Sequence, residues 1–599
     1  MTRALLSAAA FAVALAAPDG SAQPEAIRLN QVGYYPDGPK LAAVVGAPDA
    51  PFVVRPADGG EPVFEGELGP SLRWTASGED ARKADFSALT TPGTYVVEVE
   101  GMGASYPFEI REAVHEGVAR AALKGYYFQR ASVPLEAAYA GAWARAAGHP
   151  DTSVFVHPSA ATQARPAGTA LASPGGWYDA GDYGKYVVNS GIAVGTLLGA
   201  YEWDPDYLGA LDADIPESGD GVPDILDEAL VNVRWMLTMQ DEDGGVYHKL
   251  TTPNFTGEVM PAVAPGTRYV VQKGTAATLD FAAVTAQAAR VYADFPDAFP
   301  GLADSLRTAA LDAWRWARAH PGVAYRQGAM NEAFDPDVHT GEYGDGDFSD
   351  EFDWAAMELY VTTGQDSFLV ATDALGEVRV GTPSWPNVRE LGYHSLMAHR
   401  EAVSADTAAV RDALVAHAAA LADRVERSAF GVTMEDGDFF WGSNSVAANH
   451  GVALMVAYRL TGEARYLDAA TAVLDYLLGR NGTGFSFLTG HGDRPPLHVH
   501  HRPSQADSVG APVPGLLAGG PNPGQQDSCV YPSDWPAASY SDTWCSYASN
   551  EIAINWNAPL VRLAGAVEAA RSATGLPTPA GPTAPGSGRN PDAAPNPFR

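Results

Sequence analysis

Cysteine is almost absent from this chain: there are two, Cys529 and Cys545, in 599 residues. In an oxidising compartment they can form one disulfide; otherwise they are two free thiols. Basic residues are also few, with 38 Lys and Arg against 72 Asp and Glu and a formal net charge of -34 at pH 7. That balance excludes nucleic acid as a partner, because phosphates would be repelled and no basic patch with interleaved aromatics occurs. It argues equally against an anionic membrane surface. No apolar run is long enough to span a bilayer. A neutral ligand such as a sugar would not feel the field. The acidic excess itself serves solubility, or adaptation to salty surroundings where the self-repulsion is screened.

The chain opens MTRALLSAAAFAVALAA, a positive charge at Arg3, a short apolar run and small residues up to Ala22. This reads as a secretory signal peptide over residues 1–22, so the mature protein is expected to be exported. The length exceeds what one hydrophobic core supports, and 46% hydrophobic with 10% aromatic residues is a globular composition. Between residues 25 and 112 short runs separated by Pro, Gly and Asp clusters read as strands: Leu41–Val45, Pro51–Val54, Val63–Leu68, and Tyr95, Val97 and Val99 alternating with Val96, Glu98 and Glu100. A small β-sandwich is expected there. From 114 to 574 the texture becomes helical, with roughly a dozen Ala- and Leu-rich segments. In one of them, Thr275 to Phe295, Phe281, Val284, Ala288 and Val291 share a face; Ser443 to Leu460 is another. Many helices joined by long loops suggest a toroid of helical hairpins. The stretch 575–599, rich in Pro, Gly and Ala, reads as a flexible tail.

Three loop clusters carry chemistry. GGWYDAGDYGKY, residues 175–186, sets Asp179 and Asp182 three apart among glycines and aromatics. Two such carboxylates bind a cation, cap a helix or position a water. TGHGDRPPLHVHHRPS, residues 489–504, holds His498, His500, His501 and Arg502. YSDTWCSYASNEIAINWNAP, residues 540–559, holds Asp542 and Glu551. A carboxylate pair facing a lone glutamate suits glycoside hydrolysis, where one acid protonates the leaving oxygen and one carboxylate activates water or attacks the anomeric carbon. Taken alone, Glu551 also reads as an acid at the start of an apolar helix, stabilised by the dipole.

Taken together, these motifs resemble glycoside hydrolase family 9, the inverting cellulases, over nearly the whole chain. LNQVGYYP, residues 29–36, resembles the start of the immunoglobulin-like domain found in one branch of that family. WYDAGDYGKYV, DGVPDILDEA, WGSNS and LLGRN match in order with the second and third clusters. The resemblance implies an immunoglobulin-like β-sandwich over 25–112, followed by an all-α (α/α)6 barrel catalytic domain over 114–574. It implies Asp182 as general base, Asp179 as a holder of the attacking water and Glu551 as general acid. His500 and Arg502 would bind sugar beside the scissile bond, and Asp542 would support the site. Base and acid should then lie about 6.5–9.5 Å apart, leaving room for water. Trp441, Tyr547 and Trp556 are candidates to stack on glucose faces or to fill core.

Hard oxygen ligands at short spacing in GDGDFSDE, namely Asp345, Asp347, Asp350 and Glu351, suit calcium. The family often carries calcium there, and Asn387 is a further candidate from a later loop. Relatives with the sandwich domain often hold a zinc through two Cys and two His; this chain has Ala131, Gly148, His149 and Tyr178 at those places, so no zinc is expected. Packing by Tyr178 is expected to stand in for the metal. The implied function is a secreted, monomeric endo-β-1,4-glucanase acting on cellulose or soluble β-glucan. Exo-action, a glucosamine polymer as substrate, and a carbohydrate-binding protein without catalysis are the rival readings. The insert 510–526, rich in Gly and Pro, is a candidate to shape the cleft.

Overall fold

The computed structural model describes residues 24–572; the signal peptide read over 1–22 and the tail read over 575–599 lie outside the described residues. The amino-terminal domain is two sheets enclosing an apolar core. One sheet runs in the order Ile27–Arg28, Leu41–Val45, Glu79–Asp85, Leu72–Trp74. The other runs Gly33–Tyr34, Phe108–Ile110, Gly93–Val99, Pro51–Pro56, Phe64–Glu67, with Gly103–Ala104 also paired to Gly93–Val99. Alternation sets the inner face: Tyr95, Val97 and Val99 point inward and meet Phe52, Val54, Phe108 and Ile110. The register Phe52↔Val99 and Val54↔Val97 aligns the apolar positions of neighbouring strands.

The rest of the chain is mainly helical. Val187–Trp203 packs against Thr275–Tyr292 on one side and Ile554–Ser572 on the other. Thr275–Tyr292 continues to Ser349–Thr363, which meets Arg389–Ala398; Ser443–Thr461 joins Ile554–Ser572, which also receives Glu116–Gln129. The apolar stripe read on Thr275–Tyr292 understates it, because every residue there except Arg290 is buried. The helix is enclosed by Val187–Trp203, Leu302–Ala319 and Ser349–Thr363, and its many alanines let those neighbours approach closely. Leu302–Ala319, by contrast, keeps one buried stripe through Leu306, Ala310, Ala313 and Ala317.

The expectation of an all-α second domain is incomplete. A five-stranded sheet runs Ala170–Leu171, Val154–Val156, Tyr269–Val270, Lys249–Thr251, Lys185–Tyr186. Its last strand follows the Asp179–Asp182 loop directly and leads into Val187–Trp203, so the loop is held between a strand and a helix.

The sandwich grips the segment that precedes the histidine cluster. Arg28 pairs with Glu79 at 2.7 Å and donates to the Gly482 carbonyl at 2.7 Å. Asn30 donates to Asp475 at 2.9 Å, and Gln31 bonds the Gly484 carbonyl and the Arg494 amide, both at 2.8 Å.

Candidate active site

The Asp179–Asp182 loop is shaped by glycine and by one buried ring. Gly176 has φ +74°, and a Cβ there would sit 2.7 Å from Trp235. Trp177 is fully buried and donates from Nε1 to Glu228 at 2.7 Å. Asp179 is only 2% exposed. Its Oδ1 accepts from Asn189 and its Oδ2 from the Tyr343 hydroxyl, both at 2.7 Å. Burial, and then the neighbouring Asp182, push the Asp179 carboxyl up to about 8, with Tyr343 and Asn189 pulling the other way. Asp182 is 6% exposed; its Oδ2 accepts from the Gly184 amide at 2.9 Å and the Tyr186 hydroxyl at 3.2 Å.

The histidine cluster meets this loop at Gly181. A Cβ on Gly181 would lie 2.1 Å from the His500 carbonyl oxygen, so only glycine permits the approach. The Gly181 carbonyl accepts from the Arg502 amide at 3.1 Å and from Arg502 Nη1 at 2.8 Å. Arg502 also donates from Nε to the Thr256 carbonyl at 2.8 Å and lies over the Phe255 ring. His500 Nδ1 is 2.8 Å from the Trp544 carbonyl, and its ring stacks on Trp544 at 4.3 Å. Nδ1 therefore carries the hydrogen, and burial holds the imidazole below its ordinary value, so it is neutral with Nε2 as acceptor.

Glu551 does not begin a helix. It follows the short turn Tyr547–Asn550 with extended backbone and pairs as a β-bridge with His500, while Ile554–Ser572 starts three residues later. The helix-dipole reading therefore fails. The bridge is what brings Glu551 beside His500: the His500 amide donates to the Asn550 carbonyl at 2.9 Å, and the Gly519 amide donates to the Glu551 carbonyl at 2.8 Å. Burial, and then Asp182, push the Glu551 carboxyl well above the usual range, against Arg502. A shift in that direction suits a proton donor.

These groups line a single cavity of about 760 Å³ that contains Asp179, Asp182, His500, Arg502 and Glu551. Trp441, Tyr547 and Trp556 line it too. Trp441 is 38% exposed and lies 5.6 Å from Tyr547, whereas Trp556 is 9% exposed and packs on Gly442 and Gly519. Asp542 is not among the lining residues. Its carboxylate accepts from the Leu497 and His498 amides and from Asn550, at 2.8, 2.9 and 3.0 Å, and so fixes the backbone on both sides of the His500–Glu551 bridge. The insert 510–526 also stays out of the lining; it backs Glu551 through Gly519. Phe255, Tyr343, Trp385 and Phe440 line the cavity and escaped the motif reading, as did Asn189; Tyr186 lies in the first motif but was given no role there.

With this geometry in place, comparison with known proteins is decisive. The model for glycosyl hydrolase family 9 matches residues 115–564, and that for the cellulase N-terminal ig-like domain matches residues 22–104. The chain belongs to glycosyl hydrolase family 9. It is 46% identical over 553 residues to a xyloglucan-specific endo-beta-1,4-glucanase of Bacteroides ovatus, covering 91% of this chain and 94% of that protein. It is 36% identical to endoglucanase C of Cellulomonas fimi, covering 92% of this chain but 52% of that longer protein. Among solved structures, a Bacteroides ovatus family 9 protein superposes with a TM-score of 0.86 at 44% identity, covering 92% of this chain and all of that one.

Elsewhere in this family 9 enzyme, the acidic segment divides. Asp347 lies apart, its carboxylate accepting from the Ser349 amide at 3.1 Å at the start of Ser349–Thr363. Asp345 Oδ1 is taken by the Gly346 and Asp347 amides and Asp350 Oδ2 by the Val388 amide, next to Asn387. Buried Asp345 Oδ2, both Glu351 oxygens and both Asp280 oxygens have no hydrogen-bond partner. Asp280 comes from Thr275–Tyr292 and was not legible as part of this group. Burial and mutual repulsion push Glu351 and Asp280 well above the carboxylate range. Among the described residues no three His, Cys, Asp or Glu side chains close into a metal cage as they stand. The orphaned hard oxygens nevertheless fit calcium in chemistry.

At the positions where the family resemblance implied zinc ligands in relatives, Ala131 is buried with Tyr178 and Tyr183, and His149 Nδ1 lies 2.8 Å from the Tyr178 hydroxyl. A Cβ on Gly148 would fall 2.4 Å from Pro261. Cys529 and Cys545 are joined in a disulfide.

Proposed function

We propose that this family 9 enzyme is a secreted endo-β-1,4-glucanase that cleaves the backbone of xyloglucan and related soluble β-glucans with inversion. The observation that carries the reading is the opposite setting of two carboxyl groups on one cavity. Burial and the neighbouring Asp182 raise the Glu551 carboxyl, as suits an acid, and Asp182 accepts two hydrogen bonds, as suits a carboxylate. Glu551 gives its proton to the glycosidic oxygen as the bond to the anomeric carbon breaks. Asp182 takes a proton from the water that attacks that carbon from the opposite face, so the β-linkage yields an α-product. Asp179, fixed by Asn189 and Tyr343, helps hold the water. Neutral His500 and Arg502 bind sugar hydroxyls next to the scissile bond. The exposed rings Phe255, Phe440 and Trp441 offer stacking faces along the cleft.

The helix pairing is what an (α/α)6 barrel requires, and we read the domain so. Xyloglucan is placed first because the Bacteroides ovatus relative is specific for it and is aligned along nearly its whole length. Calcium, held by Asp345, Asp350 and Glu351 with Asp280 behind, would neutralise their charge and brace the start of Ser349–Thr363; no zinc is proposed. The test compares xyloglucan with carboxymethylcellulose, following viscosity and product length. A fast viscosity drop and mixed oligosaccharides, faster on xyloglucan, is expected. Glucose or cellobiose alone, at nearly constant viscosity, would move the activity to exo-action.

A further inference from the structure

Lys249 is a buried cation without a salt bridge. It is 0% exposed, and no carboxylate lies within 4.0 Å of its Nζ among the described residues. Such a group is costly unless something nearby uses its charge. The sheet register explains its place: Lys249 stands directly across from Tyr186. Its ammonium lies 5.6 Å from the Tyr186 ring and 5.2 Å from the Tyr325 ring. It donates to Gln327 Oε1 and the Gly341 carbonyl, both at 2.6 Å, and to Thr340 Oγ1 at 3.2 Å. Every one of these acceptors is neutral. Tyr186 in turn donates its hydroxyl to Asp182 Oδ2.

The charges around Asp182 show what the ammonium does. Asp179 and Glu551 face it as acids, Tyr183 and Tyr186 as phenols, and His500 as a neutral ring. Arg502 faces Glu551 and Tyr183. Lys249 sees Asp182 first and Glu342 second as its attracting charges, with His248 beside it. Burial brings the Lys249 ammonium down to about 7, so it is charged over the acidic range in which a catalytic carboxylate titrates.

Resting on the assignment of Asp182 as base, we propose that Lys249 is a positioning residue: its ammonium, caged behind Tyr186, holds Asp182 in the charged form and Tyr186 aimed at Asp182 Oδ2. The ammonium lies 5.6 Å from the Tyr186 ring and the Tyr186 hydroxyl 3.2 Å from Asp182 Oδ2; a charge separation on the order of 10 Å at an effective dielectric of about 20 corresponds to about one unit in the position of the acid limb.

The experiment measures kcat/KM from pH 3.5 to 8 on a soluble β-glucan oligosaccharide for the wild type, Lys249→Met, Lys249→Arg and Asp182→Asn, with melting temperatures. In Lys249→Met the acid limb should move up by about one unit, a loss of about tenfold below the limb and far less at neutral pH. KM should change little, and Lys249→Arg should recover most of the limb. Equal loss at every pH, or a wild-type profile, would overturn the proposal and leave Lys249 a structural plug. If Lys249→Met does not fold, Gln327→Glu decides: a carboxylate at that position neutralises the ammonium in place and should move the limb the same way, and an unmoved limb overturns the proposal. An active Asp182→Asn would instead defeat the assignment of the base itself, so the two failures are distinguishable.

Discussion

Gly181→Ala is the sharpest structural perturbation of the site. The added Cβ would lie 2.1 Å from the His500 carbonyl oxygen and 3.0 Å from its carbon. Both atoms are backbone, so no rotamer change relieves the clash. Restoring ordinary contact requires a shift of about 1.3 Å between the two loops. That shift stretches both hydrogen bonds from Arg502 to the Gly181 carbonyl. It also drags Glu551, which is bridged to His500. Overpacking of this kind costs about 1–3 kcal/mol of stability. A displacement of about 1 Å between reacting groups costs on the order of 100-fold in rate. The assay is kcat/KM on xyloglucan oligosaccharide together with thermal melting. Gly117→Ala is the matched control: nothing lies within 4 Å of its added Cβ and it sits in Glu116–Gln129. That change should keep full activity and gain up to about 1 kcal/mol of helix propensity. A Gly181→Ala enzyme within threefold of wild type would refute the claim that the two loops are locked together at this carbonyl.

Tyr343→Phe removes the hydroxyl that holds Asp179 Oδ2; with the Asp179 carboxyl lifted to about 8 the bond is between neutral groups at neutral pH, and about 0.5–1.5 kcal/mol predicts a loss of about 2- to 10-fold in kcat at similar KM, so an unchanged kcat would contradict it. Burial lifts the Glu390 carboxyl to about 8, whereas the unfolded chain titrates near about 4.3, so this group's stabilisation is full below the lower value and is lost as pH rises through the upper. Glu390→Gln should therefore show a melting advantage over wild type that grows from pH 5 to pH 8; a constant difference would contradict this. Calcium should raise the melting temperature and a chelator lower it, with Glu351→Gln shrinking the response and Asp347→Asn leaving it nearly intact; equal effects of the two variants would count against the orphaned oxygens as the ligands.

Local periodicity carried the sandwich well, because one face of each strand is buried and alternation shows directly, as at Tyr95, Val97 and Val99. It served the inner helices less well: Thr275–Tyr292 is buried all round, so its stripe could not be told from its flanks. The carboxylates proposed to react were legible as candidates because the glycines and aromatics that shape the Asp179–Asp182 loop are adjacent in sequence. Their partners were not. Tyr343 lies 164 positions from Asp179, inside a segment whose acids draw attention to calcium instead. Lys249 reaches Tyr186 only through strand pairing, and Asp280 reaches the acidic segment only through helix packing. Glu551 was misread as a helix start because IAINW is apolar; the bridge to His500 is a long-range pairing with no local pattern.

The account turns on Glu551 as proton donor and Asp182 as base on opposite faces of the sugar. Proton NMR of the first turnovers on xyloglucan oligosaccharide reads this directly, with Glu551→Gln and Asp182→Asn alongside. The α-anomer should appear first and mutarotate later, and both variants should be inactive. A β-anomer formed first, or a Glu551→Gln enzyme that still turns over, would contradict the account.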